Sequence, residues 1–247
     1  MSSEDVYVVG QGEYPYNLNV KFWKNGIAQD LANIDNAYSV FVSGNDVYVA
    51  GSQGNDTDAK LWKNGVVQTL AKGGNFGSRA NSIYVSGSNV YVAGNVALKA
   101  VVWKNGVAQN LFSGDYYSEA FSVYVSGSDV YAVGRIYQIW DAVLWKNGEL
   151  QYYLNDETED GYANSVFVSG NDVYVAGNIN NNAVLWKNGI AQTLAKDAKA
   201  NSVFVSGNDV YVVGSINNNA VLWKNGTVRY FSAISANTSY ANSVFVK

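Results

Sequence analysis

The tetrapeptide Trp-Lys-Asn-Gly occurs six times in this chain, beginning at Trp23, Trp62, Trp103, Trp145, Trp186 and Trp223. Two further motifs keep step with it. Val-Tyr-(Val/Ala)-(Ala/Val)-Gly carries its tyrosine at Tyr7, Tyr48, Tyr91, Tyr131, Tyr174 and Tyr211. Ala-(Asn/Tyr/Phe)-Ser-(Val/Ile)-(Phe/Tyr)-Val begins at Ala37, Ala80, Ala120, Ala163, Ala200 and Ala241. Six copies of one unit, at a period of roughly 41 residues, constrain the fold more than any composition value does.

Each unit reads as four short strands. In the fifth, Val166-Phe167-Val168 is a β-branched and aromatic run, Ser169-Gly170-Asn171-Asp172 turns the chain, and Val173 to Ala176 returns. Ala183-Val184-Leu185-Trp186 is the third strand, Asn188-Gly189 the hairpin turn and Ile190 to Leu194 the fourth strand. Asn-Gly favours the two successive positive φ angles of a type I′ turn. Strands such as Val-Tyr-Val-Ala are apolar on both faces, so each sheet must be covered twice. Fourth strands carry the recurrent Gln29, Gln68, Gln109, Gln151 and Gln192, which suits a half-exposed outer edge. Four antiparallel strands per unit, six units and two-sided burial predict an all-β, six-bladed β-propeller.

One domain over residues 1–247 is expected, with blades beginning near 37, 80, 120, 163 and 200. The chain starts on a second strand, Val6-Tyr7-Val8-Val9, and ends on a first strand, Ser243-Val244-Phe245-Val246. Residues 241–247 are therefore expected to complete the blade formed by 5–36 and to close the ring. Closure removes sheet edges and needs no second chain, so a monomer is expected. Taken together, the Val-Tyr-Val-Ala-Gly and Ala-Val-Leu-Trp-Lys-Asn-Gly signatures resemble tandem-repeat propellers of uncharacterised bacterial proteins, many of them secreted. The resemblance spans the whole chain and implies a fold without catalytic residues. The close likeness of the last two full repeats also fits recent duplication or deliberate assembly from a repeat.

In such a fold the first-to-second and third-to-fourth turns share one face, and both are nearly constant here. The remaining loops vary: Gln11 to Asn17, Ser113 to Glu119, Arg135 to Asp141 and Asn155 to Asp160. Variable loops on a rigid scaffold are where binding residues concentrate. The candidate ligand-binding residues are Tyr116, Tyr117, Arg135, Tyr137, Trp140 and Asp141, with Trp140 the only tryptophan outside the repeat motif.

Composition narrows the chemistry. The chain has neither cysteine nor histidine, which excludes disulfides and any catalytic device built on those side chains. A net charge of −4 without a basic stripe argues against nucleic acid, and no apolar run reaches the roughly 18 residues of a membrane span. The polar start Met1 to Asp5 lacks a signal peptide's apolar stretch, so the expectation is a cytosolic chain or one whose leader has been removed. No metal or cofactor is expected. Asp46, Asp129, Asp172 and Asp209 read as turn formers, and Asp156, Glu157, Glu159 and Asp160 as a solvated acidic loop. Three sequons, at Asn55, Asn225 and Asn237, are what chance supplies in an Asn-rich chain. Paired carboxylates can cleave glycosides without histidine. Six-bladed sialidases use a propeller, but with several arginines clustered on a sugar carboxylate; the chain has only Arg79, Arg135 and Arg229 and lacks their Ser-x-Asp-x-Gly-x-Thr-Trp turn. The expectation is a non-enzymatic binding or interaction scaffold. Its ligand would be a glycan or a protein, with a propeller lacking any evolved ligand and a carboxylate glycosidase as alternatives.

Overall fold

The computed structural model describes residues 5–11, 20–54, 57–138, 140–156, 158–231 and 238–246. Most of the first variable loop, 12–17, lies outside them, as do Ile139, Glu157 and the first sequon's Asn55 and Asp56. Six antiparallel sheets make up a six-bladed β-propeller, and they fall into two compact units, Met1–Ser113 and Gly114–Lys247.

The first unit holds three sheets. Tyr7–Gln11, Val20–Lys24 and Ile27–Asp30 form a three-stranded blade. Asn36–Ser43, Asp46–Gln53, Asp58–Lys63 and Val66–Lys72 form the second blade. Ser78–Ser86, Asn89–Val96, Lys99–Lys104 and Val107–Asn110 form the third. In the second unit, Ser118–Ser126, Asp129–Ile136, Asp141–Lys146 and Glu149–Tyr153 form the fourth blade. Gly161–Ser169, Asp172–Ile179, Asn182–Lys187 and Ile190–Ala195 follow as the fifth. Ala198–Ser206, Asp209–Ile216, Asn219–Lys224 and Thr227–Tyr230 are the sixth.

The cores lie between successive sheets, as two-sided apolar strands require. Leu144, Leu154, Tyr131 and Val133 of the fourth blade pack on Val166, Val175, Val184 and Trp186 of the fifth. Tyr174, Ala176 and Leu185 repeat the arrangement against Val203, Val212 and Trp223 of the sixth. In the first unit, Tyr48 and Leu61 meet Ile83, Val92 and Trp103. The repeat tryptophans Trp103, Trp145, Trp186 and Trp223 are fully buried, each stabilising its inter-sheet layer by about 3 kcal/mol. Fourth strands are the outer edge, and Ile27–Asp30, Val107–Asn110 and Thr227–Tyr230 are exposed throughout.

Every complete blade has the same irregularity in its first strand. The ladder skips one residue between Ala37 and Ser39, Ala80 and Ser82, Ala120 and Ser122, Ala163 and Ser165, and Ala200 and Ser202. The register shift falls at Tyr38, Asn81, Phe121, Asn164 and Asn201, each the extra residue of its β-bulge. The serine after it ties neighbouring blades together: Ile83 N–H donates to Ser39 Oγ, Val166 to Ser122, and Val203 to Ser165, at 3.2–3.3 Å. The glycine of Val-Tyr-Val-Ala-Gly faces the bulge. A Cβ on Gly177 would lie 1.9 Å from the carbonyl oxygen of Tyr162, and one on Gly94 equally close to that of Arg79.

Residues 238–246 continue this series within the second unit but are not paired in a sheet. Val244 N–H donates to Ser202 Oγ at 3.3 Å, Asn201 Nδ2 to the Ala241 carbonyl at 3.0 Å, and Phe245 packs edge-on against Phe204. The segment is thus seated by side chains of the sixth blade. Among the described residues Tyr7–Gln11 has a single ladder partner, Val20–Lys24.

The constant turns turn out to be one structural device. In all six Trp-Lys-Asn-Gly copies both Asn and Gly have positive φ, as a type I′ turn needs. Lys63, Lys146, Lys187 and Lys224 each reach the aspartate of the facing turn at 2.7–2.8 Å: Asp46, Asp129, Asp172 and Asp209. Each ammonium also lies over the ring of the motif tyrosine, 4.9–5.4 Å from its centroid. The turn asparagine donates to the same carboxylate and accepts the backbone N–H after it, as Asn188 does with Asp172 and Val173. In the third blade Asn89 replaces the aspartate and accepts from Asn105. Lysine and asparagine hydrogen bonds hold these carboxyls below their usual range, and Asp5, in the first blade, falls to about 2.

Two outcomes follow. Gly177→Ala should destabilise the chain by about 1–3 kcal/mol, read as a lower midpoint in urea, because the new methyl meets backbone and not a movable side chain. The second concerns acid. A carboxyl whose folded pKa is depressed contributes stability above its unfolded value near 4, and loses it as pH falls through the folded value. Melting temperature should therefore fall between about pH 4 and pH 2, and Asp172→Asn should flatten that fall while lowering stability slightly at pH 7.

Candidate functional site

The variable loops of residues 114–247 gather around two repeat positions. One is the bulge residue, Asn164 in the fifth blade and Asn201 in the sixth. The other directly follows the motif glycine and is polar yet buried in every complete blade: Ser52, Asn95, Arg135, Asn178 and Ser215. Asn178 spends both ends of its amide inside the protein, donating to the Ala198 carbonyl at 2.8 Å and accepting from Asn164 at 3.2 Å. Asn164 Nδ2 also reaches the Ala200 carbonyl at 3.0 Å. These bonds fix both amides and leave Asn164 Oδ1 unused by them.

A cavity of about 730 Å³ opens over this floor, bounded by Asp160, Tyr162, Asn164, Asn178, Asn180, Asn181, Asp197, Lys199, Asn201, Ser215, Asn217 and Asn218. Its rim is made by tight turns whose residues adopt positive φ: Asn180, Asp197, Asn217 and Asn218. Asparagine and aspartate tolerate that conformation better than other side chains, so the turn chemistry itself lines the rim with amides and carboxylates. A smaller cavity of about 290 Å³ is bounded by Trp140, Thr158, Glu159, Asp160 and Asn180.

In the fourth blade the post-glycine residue is Arg135, which is completely buried. Its guanidinium carbon lies 3.7 Å from the centroid of the Tyr162 ring, 4.4 Å from that of Trp140 and 5.3 Å from that of Tyr137. Nη2 donates to Asp160, whose side chain is half exposed, while Nε and Nη1 meet no acceptor among the described residues. Cation–π attraction is strongest where water is excluded, so the aromatic box replaces part of the lost hydration. Asp160 is held from its other side as well: its N–H donates to Asn180 Oδ1 at 3.1 Å, and its carbonyl accepts Asn180 N–H at 2.6 Å.

The structure brings Arg135, Tyr137 and Trp140 together. Tyr137 N–H donates to the Tyr117 carbonyl at 2.8 Å, and its hydroxyl to Glu119 at 3.0 Å. Burial and the Glu119 carboxylate push the Tyr137 phenol above its usual range. Tyr116, Tyr117 and Trp140 are exposed, at 39%, 54% and 52%. Asp141 differs from these: it is buried and accepts from Asn155 Nδ2 at 3.1 Å, so its carboxylate holds a loop. Tyr162, Asp160 and the asparagines were not among the residues expected from sequence. For Asn178 alone of these was there a signal, the recurrent polar residue after the motif glycine inside an otherwise apolar run.

Among the described residues no group of three or more acidic side chains converges to hold a metal ion. Within the acidic loop, Asp160 is engaged by Arg135, and Glu159 accepts the Asp156 N–H at 3.4 Å. Asp160→Asn should destabilise the protein by about 1–3 kcal/mol, because it leaves a buried guanidinium without its counter-charge. Arg135→Met, which removes the buried charge, should relieve much of that cost when combined with Asp160→Asn in urea denaturation.

No protein-family model matches the chain, and no curated protein matches it. Solved structures do. A computationally designed protein, Ika8, aligns over 98% of this chain and 75% of its own with a TM-score of 0.56 at 18% identity. A chain from a nidogen–laminin complex aligns over 97% of both at a TM-score of 0.60 and 10% identity. At these identities the likeness shows the fold alone.

Proposed function

We propose that this protein is a non-enzymatic binding module whose loop face in residues 114–247 takes a neutral, polyhydroxylated ligand, a glycan. The observation that carries the reading is the Asn-rich cavity: immobilised amides and one fixed carboxylate surround a space of about 730 Å³, within the range of small-ligand sites. Amides both donate and accept, which matches the mixed character of sugar hydroxyls. Trp140 and Tyr162 offer ring faces with polar groups alongside, the combination that suits a sugar ring. Asp160 is occupied by Arg135, which favours a holding role over acid catalysis.

A protein partner is the second reading, favoured by the exposed aromatic residues Tyr116, Tyr117 and Trp140 of the variable loops. The near-identity of the fifth and sixth blades keeps a third reading in view, a duplicated or assembled propeller without an evolved ligand. A glycan-array screen with Trp140→Ala in parallel separates them. The expected result is binding to neutral glycans that the variant weakens by tenfold or more. Silence across the array, with the protein folded, would count against the glycan reading.

A further inference from the structure

Resting on that reading, we infer that the site is a groove for a chain of sugar units and not a pocket for one. The two cavities are bounded by a common wall: Asp160 and Asn180 line both. Trp140 bounds only the smaller cavity, and Asn181 and Asn201 only the larger. A ligand that uses the indole and the amide floor together must therefore pass over Asp160.

The common wall is the most firmly built part of the site. Asp160 is fixed through its side chain by Arg135 and through its backbone N–H and C=O by Asn180. Arg135 is itself clamped by Tyr162, Trp140 and Tyr137, so one stacked arginine positions both the central carboxylate and the terminal platform. Its other two buried nitrogens, Nε and Nη1, meet no acceptor among the described residues, so Asp160 is the carboxylate through which the arginine is held. Preorganised groups of this kind cost little ordering when a ligand arrives.

The floor is also repetitive. The fifth blade presents Asn164, Asn178 and the turn Asn180-Asn181; the sixth presents Asn201, Ser215 and the turn Asn217-Asn218. Two neighbouring copies of one polar pattern suit a ligand that repeats. Charge narrows the ligand further, since Asp160, Asp197 and Glu159 line the groove with Lys199 the one cationic side chain among the lining residues. Neutral chains are expected, with polyuronates disfavoured.

Calorimetric titration with ladders from glucose to cellohexaose, xylose to xylohexaose and mannose to mannohexaose tests this. For the series that binds, affinity should rise tenfold or more from one unit to three or four and then level off. Trp140→Ala should lower the plateau and leave the monosaccharide affinity within about twofold. Asn181→Ala, at a residue that bounds only the larger cavity and whose side chain makes no hydrogen bond among the described residues, should also shorten the ladder, with melting temperature recorded for both variants. Equal affinity for monomer and oligomer, or a Trp140→Ala effect on the monosaccharide as large as on the hexamer, overturns the groove while leaving a glycan site standing. Absence of binding to every sugar, with intact melting, overturns the glycan reading itself.

Discussion

The bulge in each first strand is the constraint on which the rest depends. A regular ladder would keep every side chain of that strand in strict alternation. Skipping one residue re-aims the serine that follows, and its hydroxyl accepts a backbone N–H from the following blade, as Ser122 does for Val166 and Ser165 for Val203. A backbone donor left unpaired at a buried sheet edge is costly, so this bond both satisfies the donor and sets the spacing of successive sheets. The arrangement demands a glycine opposite, where any side chain would meet the carbonyl of residue 162 or its equivalents. The tryptophan layer then fills the gap whose width the serine has set.

The same bulge explains where the candidate site lies. The extra residue of the bulge sits at the register shift, so its identity is free to change from blade to blade: Tyr38, Asn81, Phe121, Asn164 and Asn201. Stability is carried by the apolar layers and by the lysine–aspartate–asparagine–tyrosine clusters of the opposite turns, which recur almost unchanged. Such exposed ion pairs contribute little singly. Their value is geometric, because each cross-links two turns of one blade and keeps its strands in register while the other end varies.

Much of this was legible in the residues. Asn-Gly at six fixed places announced six hairpins, and the spacing of Trp23, Trp62 and their successors announced six sheets. Arg135 and Trp140 stood out as departures from the repeat, and the structure stacks them. What could not be read was pairing across the chain. Nothing local says that Asp160, twenty-five residues on, supplies the counter-charge to Arg135, or that Tyr162 closes its aromatic box. The direction of Asp141 was equally illegible: its buried side chain accepts from Asn155, a partner fourteen residues on. The asparagines of the floor were hidden by their own abundance, since Asn is also the ordinary residue of these turns.

That double use of asparagine bears on how such a surface arises. A turn at positive φ selects Asn, Asp or Gly for backbone reasons alone. Repeating a blade therefore repeats a rim of amides before any ligand exerts selection, and the bulge adds a further amide to the floor. Only one element of the groove has no such backbone explanation. Arg135 occupies a position filled elsewhere by serine or asparagine, and it is buried among two aromatic rings of its own loop and the Tyr162 ring and Asp160 carboxylate of another segment. Uncompensated, a buried guanidinium costs several kcal/mol, and a serine there would satisfy the fold, as Ser52 and Ser215 do. The residues that the scaffold does not need, Arg135 with Asp160 and Trp140, are thus the ones through which this surface departs from a bare repeat.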